Sequence, residues 1–252
     1  MSFIEQKLLE TILSGVAVAL AFPIGALIAI YIPYSPSKRA LFAVFGAGIF
    51  LSAIMLLIQE TLAIGNVYDL VLGFALGAAT FGVAVHYTKH GVAVDDNGTK
   101  VRIPTKGSEG KLSIIGTILD SVPESLFIGI LISLSEPGLI PAIIVVFLGN
   151  LSTTLEGAKI MHHHGLENKI ILRDWFLDFF IVAAAAPIGY FLSKASPGED
   201  IPAVVLSFAA GTLIVFISGE LIARAYREST GHSEDLAISL GFLVGVILLF
   251  VI

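Results

Sequence analysis

The chain is 252 residues long, 56% hydrophobic and only 13% charged, with a mean hydropathy of +0.93. Soluble domains average roughly 25% charged residues, so the polar surface needed to keep a folded core in water is missing. The absence of cysteine excludes disulfides and thiolate metal sites, and a formal charge of −6 leaves no basic footprint for nucleic acid.

A helix crossing the hydrocarbon of a bilayer needs about 20 mostly apolar residues. The first such run is 11–33, preceded by Glu5, Lys7 and Glu10. It exceeds the roughly 7–15 apolar residues of a signal-peptide core and is expected to stay as a span. Further runs follow at 39–61, 67–87, 112–135, 138–161, 172–193, 202–224 and 235–252. Their lengths, and the lack of ~10-residue alternating segments, predict an all-α membrane protein of eight transmembrane helices rather than a barrel. Tyr34-Ser35-Pro36, Ser135-Glu136-Pro137-Gly138 and Ser196-Pro197-Gly198 punctuate the spans. The one long polar connection, 88–111, is expected to be a flexible loop.

Orientation is read from Lys and Arg, which favour the cytoplasmic side. Lys38, Arg39, Lys89, Lys100, Arg102, Lys106, Lys111, Lys159, Lys169, Arg173, Arg224 and Arg227 all follow odd-numbered spans, against Lys7 and Lys194 on the other side. This predicts a multi-pass protein of the cell membrane with both termini outside and the 88–111 loop in the cytoplasm.

Three short words recur in order. Pro23-Ile24-Gly25 returns as Pro187-Ile188-Gly189, Phe45-Gly46-Ala47-Gly48 as Phe208-Ala209-Ala210-Gly211, and Leu72-Gly73-Phe74-Ala75-Leu76-Gly77 as Leu240-Gly241-Phe242-Leu243-Val244-Gly245. Small residues let membrane helices pack closely, which explains each glycine but not the shared order. The copies are an odd number of spans apart and would insert upside down relative to each other, the inverted repeat common among secondary carriers. The expected organisation is a repeat over 11–87, a central helix pair over 112–161, and a second repeat over 172–252.

The unpaired central spans carry the polar outliers. The fourth contains Asp120-Ser121-Val122-Pro123-Glu124, and residues four apart share a helix face, so Asp120 and Glu124 stack. Pro123 removes a backbone hydrogen bond and frees the Leu119 carbonyl. The fifth contains Asn150-Leu151-Ser152-Thr153-Thr154-Leu155-Glu156, with Ser152 and Glu156 on one face and Thr153 beside it. An ionised carboxylate near the bilayer centre costs on the order of 2.5–3.5 kcal/mol on insertion scales. A bound divalent cation would offset that cost, as would a proton, and oxygen ligands suit hard or borderline ions. Otherwise the hydroxyls bond back to their own helices and the carboxylates line an inert seam. Gln59, Glu60, Glu220 and Asp178 lie nearer the span ends, where polar groups are cheap. His162, His163 and His164 end the fifth span on the cytoplasmic side, suited to handing off an incoming ion or simply to a solvated helix end.

At these motifs the chain resembles the ZIP family of zinc and iron transporters. The resemblance spans nearly the whole length: eight spans, external termini, a long cytoplasmic loop after the third, and a three-two-three inverted repeat. The family's fourth span reads His-Asn-x-Pro-Glu-Gly where this chain has Asp120 to Ser125, and its fifth reads His-(Asn/Asp)-x-x-Glu-Gly where Ser152 to Gly157 stand. The resemblance implies that Glu124 and Glu156 bridge a metal centre, with Asp120 and Ser152 replacing two histidines and Ser121 and Thr153 as neighbouring ligands. The glutamate that often precedes the sixth-span proline is Ala186 here. Without imidazoles, an ion harder than zinc, such as Mn²⁺ or Fe²⁺, becomes plausible.

The expected function is a carrier moving zinc, iron or manganese into the cytoplasm by alternating access. The metal is its substrate, the bilayer its environment, and no prosthetic group is expected. A non-transporting metal sensor or a carrier of another cation are the alternatives. An enzyme is not expected, since no His-Glu-x-x-His occurs. Small-residue faces would permit a homodimer.

Overall fold

In lipid every backbone N–H and C=O needs an internal partner, so long apolar segments become helices. The computed structural model describes residues 3–33, 35–89, 92–94, 100–102, 108–134, 138–163, 165–196, 198, 200–228 and 233–251. They form α1 (Phe3–Ala19), α2 (Ala21–Tyr31), α3 (Pro36–Ile64), α4 (Val67–Lys89), α5 (Ser108–Leu134), α6 (Leu139–His163), α7 (Asn168–Ala195), α8 (Asp200–Phe216), a π-helical turn (Ile217–Ile222), α9 (Ala223–Glu228) and α10 (Ser233–Val251). Among the described residues seven helical segments are long and apolar enough to cross a membrane. The protein is a multi-pass integral membrane protein. α5 is 27 residues long, with Ser121–Leu134 as its described apolar part. Within 88–111, Val92–Val94 and Lys100–Arg102 pair as a two-stranded antiparallel ribbon.

The helices start and stop where local chemistry dictates. Ser35 caps α3 by accepting from the Lys38 N–H, with Pro36 at the first helical position. At α4, the Asn66 side chain accepts from the Tyr68 and Asp69 N–H groups while Asp69 reaches back to the Asn66 N–H, a reciprocal capping box. α6 ends in a left-handed Gly165 (φ 79°), and the Leu166 N–H returns to the Met161 carbonyl in the 6→1 bond of a Schellman turn.

The first span starts eight residues earlier than expected, because its polar first turns extend the helix beyond the apolar run. Its helical hydrogen-bond ladder is interrupted at Leu20, between α1 and α2, because Pro23 cannot donate to the Ala19 carbonyl. The seventh span is likewise not one regular helix, since α8 passes through the π turn before α9. α3, α4, α6, α7 and α10 lie within a few residues of the runs expected as the second, third, fifth, sixth and eighth spans, and α5 covers the fourth run.

α5 and α6 pack against each other. α3, α6, α5 and α8 pack in sequence around a central space, each on the next and α8 back on α3. α4 lies against α8 and α10 against α3, while α7 packs on α5 and α1, and α2 on α6. Without a hydrophobic drive between helices in lipid, close backbone approach holds such seams. At Gly77 a Cβ would collide with the backbone of Phe208, and at Gly241 with that of Phe45. The aromatic core is shared among the helices. Trp175 stacks on Phe22 at 6.2 Å, and Phe50 and Phe81 meet Phe216 edge-on at 6.4 and 5.8 Å.

Candidate cation site between α5 and α6

The site begins with a hydrogen bond. Ser121 Oγ on α5 donates to Asn150 Oδ1 on α6 at 2.8 Å, with both residues fully buried. Asn150 belongs to the fifth-span motif but not to the expected ligands; a lone amide in an apolar helix was the available signal. Its carbonyl also accepts from Thr153 and Thr154, at 3.0 and 2.7 Å. Asn150 Nδ2 has no hydrogen-bond partner among the described residues.

Glu124 and Glu156 are buried, 1% and 4% exposed. Successive helical residues turn by about 100°, so their directions follow from neighbours whose contacts are known. On α6, Asn150 faces α5, whereas Gly149 lies against Phe50 and Ser152 donates to the Phe42 carbonyl, both on α3. Thr153 projects about 60° from Asn150 toward the α3 side, and Glu156 about 120°, within the sector that Gly149 and Ser152 turn to α3. On α5, Ser125 donates to the Val182 carbonyl of α7 and Gly129 meets Ala186, about 40° and 80° to one side of Ser121. Glu124 points about 60° to the other side, away from α7.

The carboxylates sit at different depths. Glu124 is about 4.5 Å beyond Ser121 toward the C-terminal end of α5, and Glu156 about 9 Å beyond Asn150 toward the C-terminal end of α6. Helical side chains lean toward their own N-terminus. In the antiparallel pair the two therefore lean toward each other, one from each side of the Ser121–Asn150 bond.

Ser152 is turned to α3, where it packs on Gly46. Thr153 is buried on the inward side of α6. His162 and His163 are exposed at the end of α6. His164 and the side chains of Asp120 and Glu220 lie outside the described residues. Among the described residues no three His, Asp or Glu side chains gather closely enough to hold a metal ion. What the site does offer is carboxylate, hydroxyl, amide and carbonyl oxygen, a donor set suited to hard cations.

Asp178 departs from the expectation of a cheap interfacial group. It is completely buried, and neither carboxylate oxygen has a hydrogen-bond partner among the described residues. Its place near the polar start of α7 conceals this in the sequence, because burial there depends on how α7 packs.

No family model matches the chain, and no curated protein matches it.

Proposed function

We propose that the protein is a secondary carrier of divalent metal ions, zinc, iron or manganese, built as an eight-span, three-two-three inverted repeat like that of the ZIP transporters. The observation that carries the reading is the pair of buried carboxylates, Glu124 and Glu156, on the adjoining helices α5 and α6. Carboxylates at membrane depth are rare and mark ion pathways, and their oxygens suit a divalent cation. Their staggered depths suit an ion passing from one to the other, with the Asn150 and Thr153 oxygens between.

The packing supports the repeat. Exchanging the first span with the sixth, second with seventh, third with eighth and fourth with fifth turns the α4–α8 seam into the α10–α3 seam. The same exchange turns the α5–α7 seam into that of α6 with α1 and α2. The repeated words also meet reciprocally: Gly48 approaches Phe242, and Gly211 approaches Phe74. By the distribution of Lys and Arg, both termini lie outside and the histidine end of α6 faces the cytoplasm of a cell-membrane protein. With Asp120 and Ser152 where the resemblance has histidines, manganese or ferrous iron is favoured over zinc.

Flux of Mn²⁺, Fe²⁺ and Zn²⁺ into proteoliposomes tests this directly. The expected result is saturable uptake, with Mn²⁺ at least as fast as Zn²⁺, lost in Glu124→Ala plus Glu156→Ala. Uptake unchanged in that double variant would overturn the site; binding of the ions without flux would favour the sensor reading.

A further inference from the structure

Outside the central helix pair, α7 carries a completely buried carboxylate, and we propose that Asp178 is a proton-binding site whose proton is released when the cargo cation loads. The coupling rests on the carrier reading; the proton site itself does not.

The position of Asp178 follows from the seam between α5 and α7. Ser125 donates to Val182, Gly129 meets Ala186, and Ser133 bonds Ser193, so the two helices run parallel. The offset of the first two contacts sets Asp178 abreast of Ser121. Asp178 also shares a face with Val182 and Ala186, four and eight residues on, and so faces the seam. Trp175, three residues before it, is stacked on Phe22 of α2, and its Nε1 has no hydrogen-bond partner among the described residues.

The surroundings carry little charge. α1 and α2 have no Asp, Glu, Lys, Arg or His between Glu10 and Lys38, and α8 has none between Asp200 and Glu220. α5 brings Asp120 and Glu124. α6 brings Glu156 and Lys159, whose Nζ is held by the Ala29 and Ile32 carbonyls at 3.0 and 3.4 Å. On α7 itself, Asp174 lies one turn away and is paired with Arg173 at 2.6 Å, and Lys169 is exposed. No cationic side chain among the described residues reaches Asp178.

A bare carboxylate in such a place is costly, and a proton removes the charge without needing the several donors that a divalent ion demands. A dication entering on the far side of α5 favours the anionic form by Coulomb attraction. The O–H bond of Asp178 then breaks, the proton passes to water, and the carboxylate keeps the electron pair. By linkage, proton binding and cation binding oppose each other equally.

Infrared difference spectroscopy on the purified full chain, with and without Mn²⁺, reads the site. Wild type is expected to lose a carboxylic-acid C=O band on Mn²⁺ binding and to release about one proton more per ion than Asp178→Asn does. The band should be absent in Asp178→Asn and shifted in Asp178→Glu. An unshifted band in Asp178→Glu, or the same band and proton count in Asp178→Asn, overturns the proposal. If wild type binds no Mn²⁺, the carrier reading fails, and the pH-difference spectrum decides the proton site alone. An acid band lost in Asp178→Asn would then sustain it, and its persistence would refute it.

Discussion

α4 and α6 are equally hydropathic over their spans, yet 17% of one and 61% of the other is buried. α4 touches the bundle along a narrow seam on α8 and turns Val71, Leu72 and Leu76 outward. α6 is enclosed by α2, α3 and α5 and holds Asn150, Ser152, Thr153, Thr154 and Glu156 inside. Hydropathy measures tolerance of lipid, which both helices have. It does not say which helix lipid reaches. In a membrane the marker of enclosure is the expensive polar side chain, because only a protein interior can partner it, whereas glycine marks a seam that one helix face can supply.

If this contrast is right, the inner helices trade stability for a site. Replacing Glu124 and Glu156 together by Gln should reduce metal uptake by about 100-fold or more. It should also raise the metal-free thermal stability, by about 1–3 kcal/mol, because burying a carboxylate costs more than burying an amide of the same shape. Calorimetry beside flux checks both halves. A destabilised double variant would mean that the carboxylates hold the bundle together rather than serve a guest.

The outer seams should fail in the opposite way. Gly77→Leu and Gly241→Leu drive side chains into the Phe208 and Phe45 backbones and should each cost about 1–3 kcal/mol. At Gly82 a Cβ meets nothing within 4 Å, so Gly82→Leu should cost almost nothing. Thermal unfolding in detergent ranks the three, and an equal loss at Gly82 would show that bulk anywhere on α4 is harmful.

Much of this contrast is legible in the sequence. Apolar run lengths place the helices, and the carboxylates announce the central pair. Direction is the missing quantity. That Ser152 and Glu156 share a face follows from spacing, but that Ser152 reaches α3 while Asn150 reaches α5 depends on which neighbours α6 acquires. Asp178 shows the same gap. Its nearness to Lys169 and Arg173 suggests an interface, and only the α5–α7 seam makes it buried. The interruption before Pro23 is local chemistry and could be read directly, whereas the π turn at Ile217–Ile222 has no proline to announce it.

A smaller effect belongs to the end of α6. Lys159 bonds the Ala29 and Ile32 carbonyls at the close of α2, where a cation also meets the negative end of the helix dipole. Lys159→Met keeps the stem and removes the charge, and should cost about 1 kcal/mol in thermal unfolding. A neutral outcome would mean that α2 is held by its packing on α6 alone.

The smallest expected effect lies outside the membrane-spanning segments, where α9 meets α10. The Tyr226 hydroxyl donates to Asp235, and that bond, followed by local desolvation and the charges of Asp235 and Glu234, raises the phenol above its ordinary value of 10.0. A raised folded-state value means that the contribution to stability is complete below the ordinary tyrosine range and is lost as pH climbs through the folded value. Tyr226 is exposed, so the energy is slight and the titration itself is the better readout. Asp235→Asn should move phenolate formation back toward 10.0, followed by ultraviolet absorbance, and should flatten the alkaline limb of the stability profile. An unmoved titration would leave the α9–α10 corner tied by something other than this bond, and the contrast between polar interior and apolar periphery would then extend to its very edge.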